Sequence, residues 1–311
     1  MSEPLDEHAR QRALDAYRAV DSLPEAAYDD IVRLASVLCD VPIALVSLID
    51  RDRQWFKATL GLELRETHRD VAFCAHAIRA PEQLLEVPDT HQDPRFASNP
   101  LVTGPSAFRF YAGMPLVTPS GAAIGTVCVL DQKPRQLNDQ QRAALSSLAR
   151  LTMNLLDSRQ RIRELELAAV LAHAAPEPEP AIASPAACCA TVAVFEVQDF
   201  AGAAARIGER ALERMLHQFE HELEGRLVKA RGDCATRSSG SAEVIVVVHA
   251  NVIDDSWRAL EETVREFERR SGLRVASAAA TATTPDESLT AVFMRADESL
   301  TARKSEIRLA A

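Results

Sequence analysis

The stretch AAPEPEPAIASPAA, residues 174–187, constrains the chain more than any other. Proline has a fixed φ and no backbone N–H, so alternating Pro and Glu excludes both helix and sheet and leaves an extended connector. It divides the 311 residues into an N-terminal part of about 170 and a C-terminal part of about 120. That agrees with about two domains for a chain of this length. Hydrophobic content of 47% and charged content of 26% are ordinary for globular domains.

The net charge is -10 and the isoelectric point about 5.4. A nucleic-acid binder needs a basic face to displace counterions, so that class is excluded, whereas a small anionic ligand in a local pocket is not. No run approaches the ~18 apolar residues of a membrane span. MSEPLDEHARQRALDAYRAV is charged and helical and lacks the apolar core of a signal peptide. The expectation is a cytoplasmic protein without a membrane partner. Cys39, Cys74, Cys128, Cys188, Cys189 and Cys234 show no CxxC spacing, so free thiols are expected, with no metal and no cofactor.

The N-terminal part opens with helices over Glu7–Val20 and Glu25–Cys39, separated by Leu23-Pro24. PIALVSLID, nearly continuously apolar, predicts a central strand, and RDRQWFKATLG a turn and second strand. AFCAHAIRA suggests a short helix, LLEVPDT a strand, and DPRFASNPLVTG a loop. FRFYAGMPLVT and GAAIGTVCVLD are strands of a hairpin closed at TPSG. An antiparallel sheet with helices on one face follows, an α+β fold.

A long helical run then extends from Leu137 to about Ala172, with Asn138 as N-cap. Leu148, Leu151, Leu155, Ile162, Leu165 and Ala169 recur at spacings of three and four, interrupted by Ser158. The first half, to Leu155, packs on its own domain. RQRIRELELAAVLAHAA has no evident domain to cover, and its heptad seam predicts a parallel homodimer.

PIALVSLIDRDRQWFKATLGL, RDVAFCAHAI, VPDTHQDPRFASNPLVTG, FRFYAGMPLVTPSG and AIGTVCVLD occur in that order. Together they resemble a GAF domain of the kind that precedes bacterial histidine kinases and diguanylate cyclases. His68 stands where relatives often carry Pro. The resemblance covers about residues 22–157 and implies a six-stranded sheet with a ligand pocket opposite its helical layer. It does not name the effector. Pocket candidates are Trp55, Phe56, Cys74, His76, Asp89, Phe96 and Tyr111. Trp55 and Phe56 alternate faces, so at least one belongs to the core. His76 fits a plain helix position, and Asp93 a turn before Pro94. Cys74 and Cys128 raise thiol redox catalysis as an alternative, since some GAF-fold reductases use paired cysteines. Cys128 reads as a buried small hydrophobe, which argues against it. Ala75 separates Cys74 from His76, against the Cys-His dipeptide of bilin attachment.

Beyond the connector, TVAVFEVQDF is a buried strand. The segment AGAAARIGERALERMLHQFEHELEGRL reads as one helix with Leu212, Met215, Leu216, Phe219 and Leu223 on its apolar face. LVKARGDCATRSS leads to the strand EVIVVVHA, and SWRALEETVREFERRSG, LRVASAAATATT and DESLTAVFMRADESLTARK complete a βαββαβα order. VFEVQDF, with Phe200, Gly208, Leu216 and Arg237, and RADESLTARK with Ala296, Asp297, Leu300 and Lys304, resemble a GGDEF domain over about residues 190–305.

That resemblance implies diguanylate cyclase chemistry, in which a 3'-hydroxyl attacks an α-phosphate with carboxylate-held metal ions neutralising charge. The expected acids are missing. The metal positions are Glu196 and Gln198, and the turn aligns as Ser239-Gly240-Ser241-Ala242-Glu243. A one-residue shift would bring Glu243 to the catalytic acid. The guanine-reading positions are Ala204 and Ala205, which offer no side-chain hydrogen bond. The inhibitory product site keeps Asp233 but has Ala230 at its Arg position. The segments are thus 1–21 an N-terminal helix, 22–157 a GAF domain, 158–189 a signalling helix and Pro/Glu linker, and 190–311 a degenerate GGDEF-like domain. The expectation is a non-catalytic signalling protein with a small-molecule effector at the GAF domain and a protein partner at the GGDEF-like domain. A cyclic di-GMP or nucleotide receptor is the alternative.

Overall fold

The computed structural model describes residues 6–174, 190–229, 232–237, 241–249, 254–284 and 286–309. It divides into two compact units, Met1–Arg161 and Ile162–Ala311. The Pro/Glu connector beyond Ala174 lies outside the described residues, with Cys188 and Cys189, and so do Ala230, Ser239 and Gly240.

In the first unit, α1 (Glu7–Tyr17) starts where the Asp6 carboxylate accepts from the Ala9 amide, 3.0 Å away. It ends at Arg18 in the left-handed region (φ 48°), short of Val20. α2 (Ala26–Cys39) stops likewise at Asp40. Then come β1 (Ile43–Ile49), β2 (Arg53–Leu60), β3 (Glu66–His68), α3 (Phe73–Ala77), β4 (Leu85–Val87), α4 (Pro100–Thr103), β5 (Phe110–Val117), β6 (Ala123–Asp131) and α5 (Asp139–Ala174). β3 and α4 have no counterpart in the sequence reading. Each is too short for a periodic pattern, and α4 is set by Asn99, whose side chain accepts from the Leu101 amide at 2.8 Å.

The six strands form one antiparallel sheet, β3-β2-β1-β6-β5-β4. Its first face carries α1, α2 and the start of α5. There Leu14, Tyr28, Ile31, Val32, Leu145 and Leu148 pack on Val46, Leu48, Val127 and Val129. Each large side chain so buried contributes about 1.5–3 kcal/mol. On the other face α3 and the long loops cover Leu45, Ile49, Cys128 and Leu130. The fold is α+β, as the sequence implies.

α5 is capped as its sequence predicts. Asn138 accepts from the Gln141 amide at 2.9 Å, and Gln141 accepts from the Asn138 amide at 3.0 Å. Two amide donors at the helix start are thereby satisfied.

The second unit contains the end of α5, then β7 (Ala190–Val197), α6 (Phe200–Ile207), α7 (Glu209–Glu224), β8 (Cys234–Thr236), β9 (Glu243–His249), α8 (Asp254–Ser271), β10 (Val275–Thr281) and α9 (Leu289–Leu309). Its antiparallel sheet runs β10-β7-β9-β8. The single helix expected after β7 is two. Gly208, at φ +85°, breaks it, a conformation that glycine adopts at no steric cost. On one face of the sheet Phe195 stacks on Trp257, and Phe219 on Phe267 with ring centroids 4.3 Å apart. On the other, α9 lays Val292, Phe293, Ala296 and Leu300 against Val192, Val194, Ala276 and Ala278.

The end of α5 departs from expectation. Leu171 is buried and Leu167 partly buried in that last cluster. The segment therefore covers a domain of its own, and has two apolar stripes rather than one. The seam is divided in turn. Leu148 lies in the first unit's core and Leu155 packs against it, while Leu151, Ile162 and Leu165 are 50%, 57% and 71% exposed.

α1 is fastened by charge. Arg10, buried to 1%, donates to the Ile49 carbonyl at 2.7 Å and to Glu7 at 2.7 and 2.9 Å. Arg69 donates to Glu7 at 2.6 and 3.0 Å. Burial opposes a charge on Glu7, but the hydrogen bonds from Arg10 and Arg69 outweigh it and hold the carboxyl down to about 2. A carboxyl depressed on folding stabilises above its unfolded pKa and loses that contribution as pH falls through the folded one. The melting-temperature difference between wild type and Glu7→Gln should be constant above about pH 4.5 and shrink toward zero as pH approaches about 2, as thermal melts across that range will read.

Candidate functional site

Strand β1 is buried along its whole length, and so is β6 beside it. Apart from Asp131 at the end of β6, both are apolar except for one hydroxyl each on the loop-covered side. Ser47 and Thr126 are cross-strand partners, and their oxygens lie 3.1 Å apart. A polar group placed there must find polar partners. Around it gather Cys74 from α3, Cys128 from β6, Tyr111 from β5 and Gln54 from β2. The Cys74 Sγ accepts from Gln54 Nε2 at 3.1 Å and from the Tyr111 hydroxyl at 3.4 Å, and lies 3.6 Å from the Cys128 Sγ. Cys74 and Cys128 are 2% and 0% exposed.

Burial works against a charge on Cys74. Hydrogen bonds with Cys128, Ser47, Thr126 and Tyr111 more than offset it and hold the thiol below the ordinary cysteine value. Burial raises Cys128 well above that value, and Cys74 beside it adds to the effect. Burial likewise raises Tyr111, which stays a neutral donor. The arrangement favours a thiolate on Cys74 and a thiol on Cys128.

This cluster forms one wall of a cavity of about 20 Å³, closed by Leu45, Phe56, Leu62, Phe73, Leu101 and Phe108. It has room for about one water-sized molecule. A pocket that encloses a metabolite-sized ligand is ~300–1,000 Å³. The outer wall is the segment after β2, where Leu64 is 48% exposed.

Tyr111 reaches Cys74 because of Gly113. The two share a face of β5, and a Cβ on Gly113 would lie 2.1 Å from the Tyr111 hydroxyl oxygen and 3.2 Å from the Cys128 Cβ. Glycine in a strand interior weakens it unless such a close approach requires it.

In the second unit, Glu196 of β7 and Glu243 of β9 are cross-strand partners. Like charges directly opposite each other repel. Each carboxylate meets a cation: Lys304 Nζ lies 2.5 Å from Glu196, and Arg163 pairs with Glu243, whose side chain is 9% exposed. Gln198 turns its amide to the Glu196 carbonyl at 3.0 Å. The Ser241 hydroxyl accepts from the Glu243 amide, and the Ala242 carbonyl from Val197. Asp233, 4% exposed, accepts from the Val228 and His249 amides and serves the backbone. Among the described residues no three His, Cys, Asp or Glu side chains come together to hold a metal ion.

Residues 23–156 match the GAF domain family. The chain is 42% identical over 151 residues to a cyclic di-GMP phosphodiesterase of Pseudomonas aeruginosa, a match covering 48% of this chain and 26% of that protein. The chain thus spans about a quarter of the length of the curated relative it matches. Among solved structures it is similar to the GAF domain of an Acinetobacter phosphoenolpyruvate-protein phosphotransferase (14% identity, TM-score 0.37, 53% of this chain and 99% of that one). It is also similar to a microbial GGDEF domain described with cyclic di-GMP (23% identity, TM-score 0.34, 38% and 74%).

Of the expected pocket residues, the GAF domain brings Phe56, Cys74 and Tyr111 to the cavity. Trp55 faces the helical layer instead, since it alternates with Phe56. Phe96 is buried behind Phe73, ring centroids 5.0 Å apart, and His76 lies edge-on to Phe96 at 4.8 Å. Burial lowers the His76 pKa, and Arg79 and Arg95 add to this. Asp89 is held by Arg109 at 3.0 and 3.1 Å, and that guanidinium keeps its carboxyl below the usual range. The sequence does not single out Gln54, Ser47, Thr126 and Gly113, and it offers Cys128 both as a partner of Cys74 and as a buried small hydrophobe. Their signal is a hydroxyl inside each of two apolar strands.

Gly113→Ala should destabilise the GAF domain by about 1–3 kcal/mol through overpacking. Part of that loss should be recovered with Tyr111→Phe, which removes the oxygen nearest the new methyl, as denaturant unfolding of both variants will measure. Arg163→Met should cost about 1–3 kcal/mol by stripping a charge partner from buried Glu243. Adding Glu243→Gln should restore most of it, read in the unfolding transition of the second unit.

Proposed function

We propose that the chain is a signal-transduction protein in which the GAF domain senses and the second unit, a GGDEF-like domain without cyclase activity, docks or relays. The carrying observation is the fate of Glu196 and Glu243. These carboxylates stand at or next to the positions where the GGDEF resemblance places metal ligands, and both meet cations of the chain itself. A phosphoryl-transfer centre needs carboxylates that are open to divalent ions and closely grouped. Gln198, Ser241 and Ala242 add no further acid. A cyclic di-GMP context is supported by the likeness to the P. aeruginosa phosphodiesterase over part of its length.

The apolar side chains left exposed along α5, Leu151, Ile162 and Leu165, support a homodimeric helix as the transmitting element. In that scheme an input favours one packing of the paired helices over another. No helix among the described residues is long and apolar enough to cross a membrane.

Purified protein incubated with GTP and magnesium or manganese should yield no cyclic di-GMP by chromatography. A product peak above a protein-free control would overturn the reading. Sedimentation equilibrium at micromolar concentration should give a dimer that Leu165→Asp converts to a monomer without loss of helical circular dichroism. A monomeric wild type would remove the transmitting helix from the scheme.

A further inference from the structure

Two thiols, one stabilised as a thiolate, face each other across 3.6 Å on the wall of a cavity sized for a very small molecule. Cys74 does not sit at a conventional interior position. A buried structural cysteine behaves as a small hydrophobe, and Cys39 in the helical layer does so, with burial pushing its thiol up to about 11. Cys74 instead accepts hydrogen bonds from Gln54 and Tyr111, and Gly113 leaves the space that the tyrosine hydroxyl needs. A tyrosine or glutamine donor aimed at sulfur stabilises an anion there more than a neutral thiol.

We propose that Cys74 and Cys128 form a redox site for a small hydroperoxide, Cys74 being the attacking sulfur and Cys128 the resolving one. The Cys74 thiolate donates an electron pair to one oxygen of ROOH, and the O–O bond breaks. The departing alkoxide takes up the proton that Cys74 shed and leaves as ROH, with Cys74 oxidised to a sulfenic acid. The Cys128 sulfur then attacks the Cys74 sulfur. The S–S bond forms, the S–O bond breaks, and the hydroxyl leaves as water with the Cys128 proton. In sum, two thiols and ROOH give one disulfide, ROH and H2O.

The geometry suits both steps. The two sulfurs lie 3.6 Å apart, and a bonded pair is ~2.05 Å apart. The cavity is of a size for hydrogen peroxide and not for bulky thiols such as glutathione. The chemistry is independent of whether the second unit is catalytic.

The test uses the full chain. Folded protein is treated with equimolar hydrogen peroxide, then denatured, alkylated and digested. The expected result is loss of two hydrogens in intact mass and a linked peptide pair containing Cys74 and Cys128, with Cys39 alkylated. Cys128→Ser should stop at a sulfenic acid on Cys74, labelled by dimedone included in the denaturant, and Cys74→Ser should give neither product. If Cys128→Ser fails to fold by circular dichroism, Cys128→Ala is read in the same way. Full alkylation of both Cys74 and Cys128 after oxidation of the folded wild type would overturn the proposal, as would a disulfide formed only after unfolding.

Discussion

The central strand pair of the GAF domain, β1 with β6, is buried on both faces, and the rest of that domain is arranged around this condition. With water excluded on both sides, the only way to keep polar atoms in these strands is to pair them with one another. Ser47 and Thr126 do so across the strands, and the remaining capacity of that small polar island is taken up by Cys74, Cys128, Tyr111 and Gln54. One sheet thereby supports two unlike layers. The helical layer is a conventional apolar core, and the loop layer is an apolar shell around a thiol pair. Gly113 and the short α3 exist, in physical terms, to let side chains reach that pair.

The second unit shows the converse. Its sheet has the apolar alternation and stacked aromatics of a well-packed domain, while two carboxylates face each other at the strand ends. Opposed acids are useful where a divalent ion lies between them. Here Lys304 and Arg163 stand in the ion's electrostatic place, so charge balance is met within the chain. A site of this kind is stable without a ligand.

Between these lies α5, one helix with two duties. Leu145, Leu148 and Leu156 anchor its first turns in the GAF core, and Leu167 and Leu171 serve the second unit near its end. The apolar residues on its other side remain in solvent, which a helix in water tolerates singly but rarely as a sustained series.

The sequence by itself determined the α+β class, the hairpin of β5 and β6 and the capped start of α5. These depend on local periodicity, capping and residue identity, all of which a chain displays without folding. Only the tertiary structure decided which of Trp55 and Phe56 faces the helical layer, that Gly208 splits a helix, and that Leu167 and Leu171 have a domain to cover. It alone set Cys74 beside Cys128, which are 54 residues apart in the chain. Their meeting depends on how a short helix docks over a sheet, a distance fixed by packing against neighbours far off in sequence, and no local pattern can encode it.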